Sequence, residues 1–245
     1  MGTAIVVTSG KGGTGKTSIT GGVAGSLARL GHSVLCIDMD IGLRNLDISL
    51  GLSDRALMDF SDVAEGRCPL VRAAVNHPDL PGLALLTAPM TLSPALTEEA
   101  VRRMLDTARS LYDYVLIDSP AGLGAGFRMA CCGADRAIVV STNDASSLRD
   151  AQRTVVELDR QVDTIHLVMN RIQPKLLRRL RTTIDDAMDA AGLPLLGVVP
   201  EDSQVMLSAN LGRPLILGGR QGAANACLNI AKRLEGRRVP IMRIR

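Results

Sequence analysis

The clearest chemistry in this chain lies in one short run: Gly10, Lys11, Gly12, Gly13, Thr14, Gly15, Lys16 and Thr17. It contains G-x-x-x-x-G-K-T, placed between the apolar run Ala4–Val7 and a helix-like stretch. That pattern binds a polyphosphate. Its glycines let the backbone fold tightly, so that successive N–H groups point inward at the anion. The following helix, entered through Lys16, Thr17 and Ser18, presents its positive end to the same charge. Lys16 is placed to neutralise the outer phosphates and the Thr17 hydroxyl to ligate Mg²⁺. The pattern does not require a second lysine, yet Lys11 stands inside the loop, five residues before Lys16.

Three further groups end apolar runs. Asp38 and Asp40 close the second run, where a phosphate-loop protein needs carboxylates to orient metal-bound and attacking water. Asp118 closes the fourth, the position of a Mg²⁺-holding carboxylate. An Asp at a strand end also suits an ordinary acidic turn, so spacing alone leaves both readings open. Asn170 and Arg171 end the sixth run, and Pro200, Glu201 and Asp202 follow the seventh. Asn170 offers a donor and an acceptor together to a purine edge. Plain turn residues would look the same.

The elements that must position these groups alternate. Apolar runs fall at Ile5–Thr8, Val34–Asp38, Leu83–Thr87, Tyr114–Asp118, Ala137–Ser141, Ile165–Asn170 and Leu195–Val199. Helical patterns occupy 16–30, 95–111, 146–161, 174–191 and 221–235. Strands without polar alternation, separated by helices, predict a single α/β domain with a mostly parallel sheet covered on both faces. Its site should lie at the carboxyl ends of the strands. Residues 53–82 are the least regular and are expected to form short helices and turns around Pro69, Pro78 and Pro81.

Composition narrows the function. Hydrophobic residues make up 46% of the chain, enough for a sizeable core, but there is no Trp and only two Phe and two Tyr. The stacking platforms of single-strand nucleic-acid binders are therefore missing. A net charge of +3 does not by itself indicate a nucleic-acid protein. Residues 232–245 alone carry a net +5, which leaves about −2 on the rest. Five cysteines without a C-x-x-C, and no leader pattern before the first strand, point to a reduced cytoplasm. Adjacent Cys131 and Cys132 cannot share one zinc well, and they read as small buried helix residues.

The run K-G-G-T-G-K-T resembles the deviant Walker A loop of the MinD/ParA family of P-loop ATPases. D-x-D-I-G-L-R-N-L-D from Asp38 and D-S-P-A-G from Asp118 resemble switch I and switch II of its MinD branch. V-V-P-E-D-S-Q-V and the later G-R-P-L-I extend the likeness through residues 3 to about 217. The resemblance implies ATP and Mg²⁺ as ligands, with Thr17, Asp38 and Asp118 around the metal. It implies that Asp40 positions the attacking water and that Lys11 crosses an ATP-dependent homodimer interface to the partner's nucleotide. It places Asn170, Arg171 and Pro200–Asp202 around the adenine. It also implies a slow, partner-stimulated ATPase that helps to place the bacterial division septum. A septum inhibitor and an activator are the implied partner proteins, and the ATP-bound form would be peripheral on the inner face of the cell membrane.

The family pattern weakens at the end of the chain. Residues 1–235 read as the ATPase domain and 236–245 as a basic, apolar tail and possible membrane-targeting segment. Its arginines suit an anionic bilayer, each contributing on the order of 1 kcal/mol. Pro240, however, cannot sit inside a helix, and a frayed basic tail is the competing reading. Other functions on the same fold stay open. Flagellar placement shares the motifs. A ParA-type DNA-segregation ATPase would use the basic run Lys175, Arg178, Arg179 and Arg181, although the switch I likeness argues against DNA. An iron–sulfur carrier would need the missing paired cysteines, and a synthetase or amidotransferase would lack a lysine like Lys11.

Overall fold

The computed structural model describes residues 1–242; the last tail residues, Arg243, Ile244 and Arg245, lie outside the described residues. The chain alternates as the sequence predicts. It runs β1 (Thr3–Thr8), α1 (Lys16–Arg29), β2 (Val34–Asp38), α2 (Leu46–Leu50), α3 (Phe60–Ala64), α4 (Leu70–Ala73), β3 (Val75–Asn76) and β4 (Leu83–Leu86). It continues through α5 (Glu98–Leu111), β5 (Tyr114–Asp118), α6 (Ala125–Cys131), β6 (Arg136–Ser141), α7 (Ala145–Leu158) and β7 (Thr164–Ile172). It ends with α8 (Pro174–Leu180), α9 (Ile184–Ala191), β8 (Leu195–Pro200), α10 (Ser203–Asn210), a 3-10 turn at Leu215–Leu217 and α11 (Gly222–Leu234).

The strands form one sheet in the order β3-β4-β2-β5-β1-β6-β7-β8. The pairings are parallel except β3 with β4, which is antiparallel. Alternate residues of each strand feed opposite cores. Ala4 and Val6 of β1 join Leu105, Phe127 and Leu158 on one face; Ile5 and Val7 join Val23, Leu27 and Ile230 on the other. Because both faces are covered, the strands read as unbroken apolar runs. β1 lies between β5 and β6, and the chain changes direction across it, so a crevice opens above β1, β2 and β5.

Two expectations need correction. The helical pattern at 174–191 is two helices, because Arg181 adopts φ 53° and Thr183 caps a new start with Asp186 in a capping box. The irregular stretch before residue 83 holds α3 and α4 as expected, and also the short strand β3.

The tail does not continue α11. Gly236 has φ 82°, and residues 237–242 run as irregular backbone against the body. Arg233 fastens it, donating to Val239 O at 2.9 Å, Pro240 O at 2.6 Å and Leu196 O on β8 at 2.8 Å. The stripe Cys227, Ile230, Ala231 and Leu234 faces the core. Cys131 and Cys132 are buried, and burial pushes their thiols up to about 12 and about 11.

Candidate nucleotide and metal site

The phosphate loop leaves β1 at Ser9 and enters α1 at Lys16. Gly15 turns it at φ 90°, and a Cβ there would lie 2.3 Å from the Asn170 amide nitrogen. Both facts exclude a side chain. That same amide donates to Thr14 O at 2.8 Å, so the end of β7 buttresses the loop from across the sheet. The first turn of α1 carries no acidic residue, which leaves its amide end positive. Lys16 is only 7% exposed, and burial lowers its pKa against the raising influence of Asp118 and Asp40. A buried ammonium of this kind is stabilised by a bound anion.

Beside it stand two buried carboxylates. Asp38 and Asp118 are register partners at the ends of β2 and β5. Asp118 accepts from Thr17 Oγ1 at 2.6 Å and from Thr20 Oγ1 at 3.0 Å. Asp38 accepts from the amides of Asp40 at 2.9 Å and Leu46 at 3.1 Å, which fixes the turn after β2. Burial pushes Asp118 up to about 7, helped by the charge of Asp38, and pushes Asp38 up to about 6, helped by the charges of Asp40 and Asp47. Two carboxyls crowded at adjacent strand ends form a donor set that suits a divalent cation, which would relieve both burial and repulsion. Thr14 Oγ1, inside the loop, is buried without a partner among the described residues, which also suits a polar ligand there. Asp40 is half-buried on the wall, and burial raises its pKa against Lys16.

The loop borders three cavities, one of about 360 Å³ beside Lys11, Asp144 and Arg171 and two that adjoin each other. Of these two, one, of about 420 Å³, is lined by Gly12, Gly13, Lys16, Thr17 and Asp40. The other, of about 620 Å³, runs under Asn170, Arg171, Pro200 and Glu201. Ser18 borders both, so phosphate-sized and base-sized spaces are continuous. The rim residues are not equally free. Arg171 pairs with Glu201 at 2.8 Å. The Asp202 carboxylate accepts from the amides of Gln204 and Ala223, both at 2.9 Å, and so joins the starts of α10 and α11. In the loop after Asp118, Gly122 takes φ 84°, whereas Gly124 caps α6 in extended backbone.

Lys11 lies apart from Lys16. The sequence suggested a lysine confined within the loop; instead its side chain is 44% exposed on the rim. Its ammonium meets Asp144 Oδ1 at 3.2 Å and Ser146 Oγ at 2.8 Å, at the cap and first turn of α7. Ser146 and Thr142 hydroxyls hold the Asp144 carboxyl well below the usual range. Sequence reasoning missed Asp144, which is distant in the chain, and Thr20, whose only signal is a hydroxyl one helical turn after Thr17.

Comparison with known proteins gives the family. Residues 5–215 match the CobQ/CobB/MinD/ParA nucleotide binding domain. The septum site-determining protein MinD of Synechocystis is 39% identical over 242 residues, spanning 97% of this chain and 91% of that protein. MinD of Bacillus subtilis is 39% identical over 246 residues, spanning 98% and 92%. A chain of the MinC:MinD cell division protein complex of Aquifex aeolicus superposes with a TM-score of 0.90 at 36% identity, covering 98% of both chains. MinD of Pyrococcus horikoshii, complexed with Mg-ADP, gives a TM-score of 0.84 at 26% identity, covering 96% of both.

Proposed function

The chain belongs to the MinD/ParA family, in its MinD branch, and from that premise we propose a Mg²⁺-ATP-driven dimerising switch that cycles on the membrane to place the division septum. It is a nucleotide-binding ATPase of that family. The observation that carries the finer reading is the position of Lys11. An exposed ion pair of this kind is worth about 0–1 kcal/mol, so the lysine exchanges Asp144 for a stronger anion at little cost. A second copy's phosphates, brought to the same rim, are such an anion.

The site residues then take these roles. The amides of Gly10, Gly12, Gly13, Thr14 and Gly15, with Lys11 and Lys16, hold the phosphates. Ser18 borders the passage to the base, which lies among Asn170, Arg171, Pro200 and Glu201. Asp202 keeps that wall in place through its two amide partners. Thr17 would ligate the metal and Asp38 and Asp118 would hold its waters. Magnesium, when bound, neutralises charge on the phosphate oxygens. Asp40 would accept a hydrogen bond from the attacking water and align it. Turnover is slow until a partner protein orders this constellation. Residues 1–235 form the ATPase domain, and residues 236–245 attach it to an anionic inner-membrane surface. Dimerisation doubles the tail count, which makes attachment depend on ATP. The septum inhibitor is a MinC-like protein, as in the Aquifex complex, and a second partner acts as activator.

The test is light scattering with anionic-vesicle co-sedimentation, under ATP and under ADP. A dimer that forms and pellets only with ATP is expected. A monomer that stays in solution in both states would overturn the membrane-switch reading. Duplex-DNA binding through exposed Lys175, Arg178, Arg179 and Arg181 would then be measured next.

A further inference from the structure

Asp118 has two carboxylate oxygens, and a different threonine of α1 holds each. Thr17 Oγ1 reaches Oδ2 at 2.6 Å from the mouth of the site. Thr20 Oγ1 reaches Oδ1 at 3.0 Å from one turn deeper, and its residue is fully buried. The two contacts differ in permanence. The Thr17 hydroxyl faces the space a ligand would fill, and metal binding would change its partners. Thr20 lines no cavity edge with Thr17 and is sealed between α1 and the sheet, so its contact does not depend on loading.

A simpler role for Thr20 exists, because a helical threonine commonly turns its hydroxyl back to the carbonyl four residues earlier. Thr20 does reach Lys16 O at 3.0 Å. Ser26, further along the same helix, shows that plain arrangement, meeting Gly22 O at 2.6 Å with no carboxylate nearby among its hydrogen bonds. Thr20 differs in lying equally close to an acid. Valine has nearly the same shape and would fill the same space between Ile19 and Gly21 on α1. What the hydroxyl adds is a donor within reach of Asp118 Oδ1, which shares it with Lys16 O, whereas the neighbouring Asp38 offers only like charge.

We propose that Thr20 is a positioning residue: it fixes Asp118 Oδ1, and thereby the orientation in which Asp118 holds the water shell of Mg²⁺. The inference rests on the reading of this crevice as a Mg²⁺-nucleotide site. Partners behind a metal-holding group typically change metal affinity about 10–100-fold when removed.

The experiment is a Mg²⁺ titration of fluorescent non-hydrolysable ATP analogue binding to the full chain, beginning in EDTA. Wild type, Thr20→Val and Thr20→Ser are compared, and each fold is checked by thermal melting. Thr20→Val is expected to raise the Mg²⁺ midpoint about tenfold, leave binding in EDTA unchanged and keep a cooperative melt. Thr20→Ser, which restores the hydroxyl, should return the midpoint to the wild-type value. A Thr20→Val midpoint equal to wild type overturns the inference while leaving the site reading intact. Equal weakening with and without Mg²⁺ also overturns it, since that marks a merely structural role. Absence of any Mg²⁺ effect in the wild type overturns the site reading itself, and the inference with it. Should Thr20→Val not fold, the smaller Thr20→Ala and Thr20→Cys carry the same comparison.

Discussion

The floor of the phosphate site and the C-terminal segment are held by opposite means. In the floor, two buried carboxylates are the centres of the grip: Asp118 takes two threonine hydroxyls, and Asp38 takes two backbone amides. In the tail, one long side chain on the surface, Arg233, grips backbone carbonyls. The floor therefore depends on residue types at fixed positions, and substitution there changes chemistry. The described tail is held by the Arg233 guanidinium together with the packing of Met242 against the core, and carbonyls are supplied by any sequence. A region of the first kind is fit for catalysis; one of the second kind is fit for exchange between partners.

The comparison is tested hardest at the loop lysines. Lys16→Ala removes a buried cation from the phosphate space and should cut ATP turnover by at least about 100-fold, the scale of losing one preorganised charge-stabilising group. A variant that retains a tenth of wild-type turnover would mean that the loop does not use Lys16 as its main charge. Lys11→Ala should behave differently, because Lys11 is exposed and bound only to the rim. It should still bind ATP as a monomer and fail to form the ATP dimer in light scattering. A dimer that forms unchanged and hydrolyses normally would remove the role in trans.

How much of this was legible in the sequence follows the same division. The floor was readable because the loop, Asp38 and Asp118 announce themselves by type and by position after apolar runs. Parallel strands covered on both faces leave an unbroken apolar signature, so β1, β2 and β4 to β8 were also visible. What escaped depends on contacts across the fold. Asp144 meets Lys11 only because β6 lies beside β1. Thr20 looks like core filler until β5 brings Asp118 beneath it. Two-residue β3 is too short to carry a period, and the switch at Arg181 is a single left-handed residue in a helical pattern. The tail was legible as basic and as broken by Pro240, but not as fastened, because the fastening residue lies in α11.

Next in size are a deletion and a pH effect. A chain ending at Glu235 should lose ATP-dependent pelleting on anionic vesicles and keep its basal turnover. Full pelleting of the shortened chain would show that attachment lies elsewhere. The pH effect belongs to the floor. Asp118 and Asp38 bind protons more tightly folded than unfolded, so between about pH 4 and pH 7 the folded state holds more protons. Their contribution to stability is therefore greatest on the acid side and is lost as pH rises through about 6 and about 7. His77 and His166, whose pKa values burial lowers, act in the opposite sense. The informative quantity is thus the difference between wild type and Asp118→Asn in nucleotide-free, Mg²⁺-free melting. Wild type should gain more on going from about pH 8 to about pH 6. Parallel pH profiles for the two proteins would mean that Asp118 ionises as it does in water.

The smallest effect is expected at Arg233, where the two means of holding can be set side by side. Arg233→Gln loses most of the donors to Val239, Pro240 and Leu196, of which the exposed Pro240 carbonyl can turn to water. The cost should be about 1–2 kcal/mol, a fall in Tm of roughly 4 °C for a chain of this size. Basal ATP turnover should not change, because Arg233, Val239 and Pro240 do not line the cavities at the loop. Limited proteolysis should cut after Arg237 or Arg238 sooner than in wild type, since a released strap exposes its backbone. On anionic vesicles the variant should pellet at least as well as wild type, because freeing Val239 to Met242 makes their apolar and cationic groups available to the bilayer. Reduced pelleting together with faster proteolysis would mean that the fastened form is the one that meets the membrane, and that Arg233 presents the tail there instead of storing it.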